Sequence, residues 1–386
     1  MAKKKEVKEE VAAQEQTEWQ KNQEALRAAL NKKHNSGRDK KIDMILKMSD
    51  QNFTRLAPRY ISSGDLGLDI LLGGGWRRGV MHKVQGQFTA SKSKGVLTTA
   101  EIFINHLKEP VLIIDYEGRW TPDWVIQHGI AADNDLFHYT RPENAEQAFD
   151  ILEGAVMSNA YSMIALDSVA AMSPNEEIEK AHDEATQAAL ARLVGKFCRK
   201  YESRANALFL RGKELPTIFL LNQVRTNIHA RFDKDTTPGG TQQDNTANTI
   251  LQLRRAEKLE EGEGEDASVY GFMVAAQTKK INGAPPFQQQ KYGVITADGG
   301  YEGHHQYSYY HADTLHRFGQ KMGIITQAGA WYEVAGFGKY QGASKLRTAI
   351  MESSEMREII INAVKDALPH IPIQFEEKYI RGVANG

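Results

Sequence analysis

The 386-residue sequence contains a single cysteine, Cys198. That excludes an intramolecular disulfide and a zinc cluster built on several thiolates, and it gives no reason to infer an oxidising compartment. Long apolar runs are also missing, since nothing approaches the roughly 18 consecutive residues with which a helix crosses a bilayer. The opening MAKKKEVKEE carries positive charge without the apolar stretch that a secretory signal places behind it, so an intracellular, cytoplasmic protein with no membrane partner is expected. Nor does charge of one sign dominate, because 48 basic side chains meet 49 acidic ones. Any attraction to nucleic acid therefore has to come from a local patch. Core material, by contrast, is plentiful: 41% of the residues are hydrophobic, enough at this length for one large domain with attachments or for two to three domains.

The character of the chain changes along its length. Residues 1–50 are highly charged, and the first 15 or so read as a solvated, frayed terminus. TEWQKNQEALRAALNKK, starting at Thr17, reads as a helix with Thr17 as N-cap and a thin Trp19/Leu26/Leu30 stripe, too narrow to hold the helix without something to dock on. From Ile61 to about residue 298, short apolar runs, glycine turns and helical stretches alternate. Val111–Ile114, Met163–Leu166 and Ile218–Leu221 are continuous apolar runs, as strands covered by helices on both faces should be. An α/β fold with a central, mostly parallel sheet flanked by helices follows. AEKLEEGEGEDAS (256–268) reads as an exposed acidic hairpin or loop. The expected division is a charged tail, helix and linker over 1–54, a core over 55–300, and a small α/β domain over 301–386 that contains Trp331 and a helical pattern through Met356, Ile359, Ile360 and Val364.

Open parallel sheets bind ligands at the C-terminal ends of their strands. The first of the three runs ends in Asp115-Tyr116-Glu117, the second in Asp167-Ser168 and the third in Asn222-Gln223. Taken singly, each has an ordinary structural reading as a helix cap, a turn or a solvated carboxylate. Upstream lies GQFTASKSKG (86–95), which matches a phosphate-cradling loop from Gly86 onward except that Ser91 replaces the second glycine. Together these are the parts of an ATPase. Backbone N–H groups of the loop hold phosphate oxygens, Lys92 reaches the terminal phosphates and Ser93 takes a place on Mg²⁺. Asp167 holds Mg²⁺ through water, Glu117 orients or deprotonates the attacking water, and Gln223 senses the γ-phosphate. If the position of Ser91 demands a left-handed backbone, serine costs about 1–2 kcal/mol there relative to glycine.

At this point the chain resembles a known family. ISSGDLGLDILLGGGWRRGVMHKVQGQ is similar to the lead-in to the nucleotide loop of RecA recombinases. IALDSVAAMSPNEEIE resembles their second acidic motif, FLLNQVR…TTPGG their DNA-binding loop, and KKINGAPPF and AGAWYE two later landmarks. The resemblance spans residues 61–348, and the altered glycine is also seen in the UvsX-type recombinases of bacteriophages. It implies a P-loop ATPase core using ATP and Mg²⁺, self-association into a helical filament, and binding of single-stranded DNA and a homologous duplex, with single-strand-binding and loader proteins as further partners. The setting it implies is the cytoplasm of a bacterial or phage-infected cell.

The resemblance places a first DNA loop at 179–187 and a helix behind it, on which Arg192, Gly195 and Arg199 match positions near the DNA backbone; the alternative is a solvated basic face. In the second loop it implies roles for Arg225, for Ile228 as an aliphatic wedge between base triplets, and for the amides of Gly239 and Gly240 on phosphates. Lys280 matches one member of a basic pair that in the family reaches a neighbour's γ-phosphate; the other member falls on Thr278, so either Lys279 substitutes from the adjacent position or the site runs with one cation, and a strand followed by an exposed proline turn is the structural alternative. Trp124 falls where the family places an aromatic against adenine; packing in the core is the equal alternative. Asn245 replaces a family phenylalanine, and the acidic tail of many bacterial members is absent. The expected function is an ATP-dependent recombinase that forms a filament on single-stranded DNA and promotes homologous pairing and strand exchange. A mediator paralogue without hydrolysis and a hexameric RecA-fold helicase stay open beside it.

Overall fold

The structure, a computed structural model, describes residues 18–38, 41–46, 57–179, 187–226, 235–262 and 267–380. In chain order its helices are α1 (Glu18–His34), α2 (Leu66–Leu71), α3 (Lys92–Glu101), α4 (Pro122–Gln127), α5 (Ala145–Ser158), α6 (Asn175–Glu179), α7 (Gln187–Phe209), α8 (Gln242–Thr246), α9 (His311–Lys321), α10 (Ala343–Glu352) and α11 (Ser354–Ala367). The strands are β1 (Tyr60–Ile61), β2 (Trp76–Arg77), β3 (Met81–Gly86), β4 (Val111–Asp115), β5 (Phe137–Thr140), β6 (Met163–Asp167), β7 (Thr217–Gln223), β8 (Arg225–Thr226), β9 (Asp235–Thr236), β10 (Thr249–Glu261), β11 (Ser268–Ile281), β12 (Gln289–Ile295), β13 (Ile325–Ala328), β14 (Trp331–Val334) and β15 (Gly338–Gln341).

Among the described residues, eight strands form the main sheet in the order β12-β11-β10-β3-β7-β6-β4-β5. From β10 to β5 every pairing is parallel, and only β11 and β12 run against their neighbours. This is the mostly parallel sheet expected, and the three apolar runs are β4, β6 and β7. Their lack of alternation has a direct cause, because both faces are covered. Val111, Ile113, Met163, Ala165, Phe219 and Leu221 join one core with Val96, Leu97 and Ala100 of α3. Leu112, Ile114, Ile164, Leu166, Ile218 and Leu220 join a second core with Ala148, Phe149 and Leu152 of α5 and Val194 and Phe197 of α7. Cys198 is buried in that second core.

The C-terminal residues build a third core from Leu315 and Phe318 of α9, Leu346 and Ile350 of α10, and Met356, Ile360 and Val364 of α11. The helical pattern read there is correct, with Ile359 on the exposed side. The acidic segment is a hairpin between β10 and β11 whose tip, 263–266, lies outside the described residues.

The chain divides into two compact units, 1–57 with 203–214, and 58–202 with 215–386. In the first, α1 buries none of its residues, and Trp19 and Leu26 stay more than half exposed. The cap expected of Thr17 lies outside the described residues. Asn31 and Arg27 of α1 hold Asp43 at 2.6 and 2.9 Å, which folds 41–44 back along the helix.

In the second unit, α2 carries a buried carboxylate. Asp69 accepts from the Ser63 amide and hydroxyl at 2.7 and 2.6 Å through Oδ1, while Oδ2 is buried with no hydrogen-bond partner. Burial pushes its pKa up to about 7, against the lowering effect of the Ser63 hydrogen bonds. Folding therefore takes up a proton between the ordinary carboxylate range and about pH 7, and stability falls as pH rises through that window and is level above it. Asp69→Asn should remove the Asp69 share of the fall, while the raised carboxyls of Asp65 and Asp167 keep theirs. Comparing urea midpoints, the stability of the variant relative to wild type should be greater at pH 8 than at pH 5 by about 2–3 kcal/mol.

Candidate functional site

The nucleotide-loop candidate joins the end of β3 to the start of α3. Its register on the sheet is set by β7 on one side and β10 on the other, with Gly86 opposite Gln223 and Leu253. Ser91 is the residue before α3 and adopts φ 60°, ψ 27°, the left-handed conformation at which serine carries a cost. The Lys92 ammonium donates to the Gly86 and Gln87 carbonyls at 3.1 and 2.9 Å, so it closes over the loop. Burial lowers its pKa, partly offset by Asp167 and Glu117.

The acidic strand ends meet this loop. Ser93 Oγ donates to Asp167 Oδ2 at 2.5 Å, and Trp120 Nε1 donates to the same oxygen at 2.9 Å. Burial raises the Asp167 pKa to about 6, opposed by those two hydrogen bonds. Asp115, opposite Asp167 in the β4–β6 ladder, accepts from the Gly118 and Trp120 amides at 2.8 and 3.0 Å and from Tyr139 Oη at 3.1 Å. These bonds shape the turn that carries Glu117. Glu117 then accepts from Gln223 Nε2 at 2.8 Å and from Ser168 Oγ through Oε1, and pairs with Arg119 Nε at 2.8 Å through Oε2.

Lys92, Ser93, Glu117, Asp167, Gln223 and Trp124 line one cavity of about 520 Å³, a volume suited to a nucleotide-sized ligand. Trp124 does both things open to it. It packs against the first core and sits edge-on to Trp120, with ring centroids 5.3 Å apart, while also facing the cavity. The Ser93 hydroxyl and the Asp167 carboxylate form an adjacent pair of hard oxygen donors, a donor set that fits Mg²⁺. Arg119, Phe272, Val294, Thr296 and Tyr307 are among the further lining residues, and they escaped the sequence reading. Arg119 lies two residues from Glu117, the one signal that could have found it; Thr296 and Tyr307 carry none.

A second cluster lies where β7 leaves the sheet. Arg225 is exposed on β8, which pairs with β9 and so closes the base of the second loop. Ile228 and the other residues of 227–234, like 180–186 of the first loop, lie outside the described residues. Gly239 and Gly240 have φ of 92° and 74°. A Cβ on Gly239 would meet Val194 at 3.1 Å and one on Gly240 would meet Ala191 at 3.1 Å, so this turn lies directly on α7. Arg192 and Arg199 are exposed on that helix, Arg192 paired with Glu176 at 2.7 Å, while Gly195 is buried between them.

Two side chains hold the turn through contacts not foreseen from sequence. Asn222 Nδ2 donates to the Pro238 carbonyl at 2.9 Å and to Gln243 Oε1 at 3.1 Å. Lys83, buried in β3, donates to Thr237 Oγ1 at 2.6 Å and pairs with Asp244 of α8. Lys280 donates to the Asp244 and Asn245 carbonyls at 2.9 and 2.8 Å. The β10–β11 register skips Lys279, with Ile250 opposite Lys280 and Leu251 opposite Thr278. This bulge turns Lys279 out of strict alternation while Thr278 is fully buried.

Residues 24–300 match the family profile described as the RecA N-terminal domain. The Protein RecA of Leptospira biflexa is 30% identical over 373 residues, covering 95% of this chain and 88% of that protein. The chain belongs to the RecA family. The Protein RecA of Sulfurovum sp. is 29% identical over 328 residues, 84% of this chain and 87% of that protein. The crystal structure of the RadB recombinase overlaps 61% of this chain and 96% of its own at 19% identity, with a TM-score of 0.43. This chain has the α/β fold of the RecA family, a large and mostly parallel sheet flanked by helices. Among its described residues, no helix is long and apolar enough to cross a membrane.

Two substitutions test the local energetics. Ser91→Gly should relieve about 1–2 kcal/mol of left-handed strain and lose about 0.4–1 kcal/mol to the freer unfolded chain, a small net gain that Ser91→Ala should not share in thermal melts. Asp244→Ala strands the buried Lys83 ammonium and should cost about 3 kcal/mol in urea denaturation. Lys83→Met should cost far less, because Asp244 is 38% exposed and keeps its water.

Proposed function

We propose that this RecA-family chain is an ATP-dependent recombinase that forms a filament on single-stranded DNA and promotes homologous pairing and strand exchange. The observation that carries the reading is the bond between Gln223 and Glu117 at 2.8 Å, because it joins the proposed water-activating carboxylate to the strand that runs on into the second loop. Lys92 and the amides at the start of α3 would hold the phosphates. Ser93 and Asp167 would hold Mg²⁺, which supplies neutralising charge when bound. Glu117 would take the proton of the water whose oxygen bonds to the γ-phosphorus as the bond to the β-phosphate oxygen breaks, giving ADP and phosphate. Trp124 would lie against the adenine.

A phosphate that displaces Gln223 from Glu117 would pull on β7, and with it Arg225, the Asn222 contact to Pro238, and the Gly239-Gly240 turn on α7. Arg192, Arg199 and Arg225 would bind DNA phosphates, and Ile228 would part the bases; such contacts read no sequence. Lys279 and Lys280 would act on the nucleotide of a neighbouring subunit, and the exposed Trp19 and Leu26 of α1 give that helix an apolar strip for a neighbour to cover. Ser91 in place of glycine supports a phage UvsX-type member. The divisions at 54 and 300 remain our reading of the domain limits, with 301–386 as an appended domain.

The test is DNA-stimulated ATP turnover. Lys92→Ala should lose nucleotide binding. Glu117→Gln should bind ATP and hold single-stranded DNA while turnover drops by about 10²–10⁴-fold. Equal turnover in wild type and both variants removes these residues from the mechanism, and strand exchange between a single strand and a homologous duplex with and without ATP separates a recombinase from a mediator.

A further inference from the structure

Arg119 stands in the same cavity as Lys92 and Ser93, on the turn after β4. Its Nε lies 2.8 Å from Glu117 Oε2, and its guanidinium carbon lies 4.6 Å from the ring centroid of Phe88, an exposed residue of the nucleotide-loop candidate. The other Glu117 oxygen is taken by Gln223 and Ser168. Both oxygens of the carboxylate that would receive the water's proton are thus engaged, one of them by a guanidinium.

The Arg119 side chain is 44% exposed while Glu117 is 8% exposed, so water reaches the guanidinium end of the pair. A terminal phosphate carries more charge than a carboxylate and offers the planar fork two oxygens at once. Phe88 gives the guanidinium a flat surface on which to slide between the two anions without losing its cation–π contact. Lys92 is lowered in pKa first by burial and also by the Arg119 charge, so the two cations already converge on one place in the cavity.

We propose that Arg119 is a switch cation supplied by the chain to its own site, shared between Glu117 and the terminal phosphate of the nucleotide. A triphosphate draws the guanidinium off Glu117 and leaves that oxygen for the attacking water; a diphosphate, one phosphate shorter, does not reach it. Hydrolysis then depends on the third phosphate being in place. The inference rests on the nucleotide reading above and adds a residue that the family resemblance does not supply.

The test measures Mg·ATP and Mg·ADP affinities by displacement of a fluorescent nucleotide, together with turnover, for wild type, Arg119→Ala and Arg119→Lys, each also combined with Glu117→Gln. Arg119→Ala should weaken ATP about ten- to hundredfold, as loss of a charge-assisted contact does, and leave ADP within about twofold. The ATP loss should persist when Glu117 is already glutamine, and Arg119→Lys should recover part of it. An equal change for both nucleotides, a loss that vanishes in the Glu117→Gln background, or faster turnover in Arg119→Ala at unchanged ATP affinity overturns the proposal while leaving the ATPase reading intact. If wild type binds neither nucleotide, the ATPase reading falls and the role of Arg119 falls with it.

Discussion

The parallel hydrogen-bond ladder joining β3, β7, β6 and β4 is the constraint on which the rest depends. It sets Gly86 level with Gln223 and Asp115 level with Asp167. Four chain segments far apart in sequence therefore release their loops at one edge. Side chains alternate along a strand, so a one-residue slip in any of these pairs would send Leu112 or Leu220 to the wrong core and Asp167 away from Ser93. The two cores on either side of the sheet hold this register, and the site follows from it.

Buried carboxylates then convert the register into loop shape. Asp115 and Asp167 lie at the strand tips, and each collects donors from the turn between β4 and α4. The charge on Asp167 is expensive to bury, as its raised pKa records, and the hydroxyl and indole beside it offset only part of that cost. A divalent cation at Asp167 and Ser93 would offset more. The same logic operates at the second loop, where Lys83 reaches Thr237 and Asp244 from inside β3. The strand that opens into the nucleotide-loop candidate is therefore also the strand that holds the base of the DNA-loop candidate.

Much of this was legible in the linear chain. Uninterrupted apolar runs at 111–114, 163–166 and 218–221 announce strands covered on two sides, and the polar residues following each run mark where a ligand edge would be. The left-handed backbone at Ser91 was posed by the sequence only as a condition, and the structure meets it. Arg119 offered only its place two residues after Glu117, and Trp120 offered nothing, because their importance comes from contacts across the site with Phe88 and Asp167. Thr296 and Tyr307 line the cavity from the segment that follows β12, a placement that depends on the order of strands in the sheet. Lys83 stands in a strand that reads MHKVQG, polar and apolar residues mixed, and nothing in the sequence pointed to Asp244, 161 residues away.

The sequence by itself determined the α/β class, the three central strands β4, β6 and β7, and the residue types offered at their ends. These depend on local hydrophobic pattern and turn chemistry, which act over a few residues. Only the tertiary structure decided the strand order, the engagement of both Glu117 oxygens, the seat of the Gly239-Gly240 turn on α7, and the lateral contacts of Lys83 and Arg119. Those outcomes depend on burial and on charges meeting across long loops, and a partner's distance in space is not written in its distance along the chain.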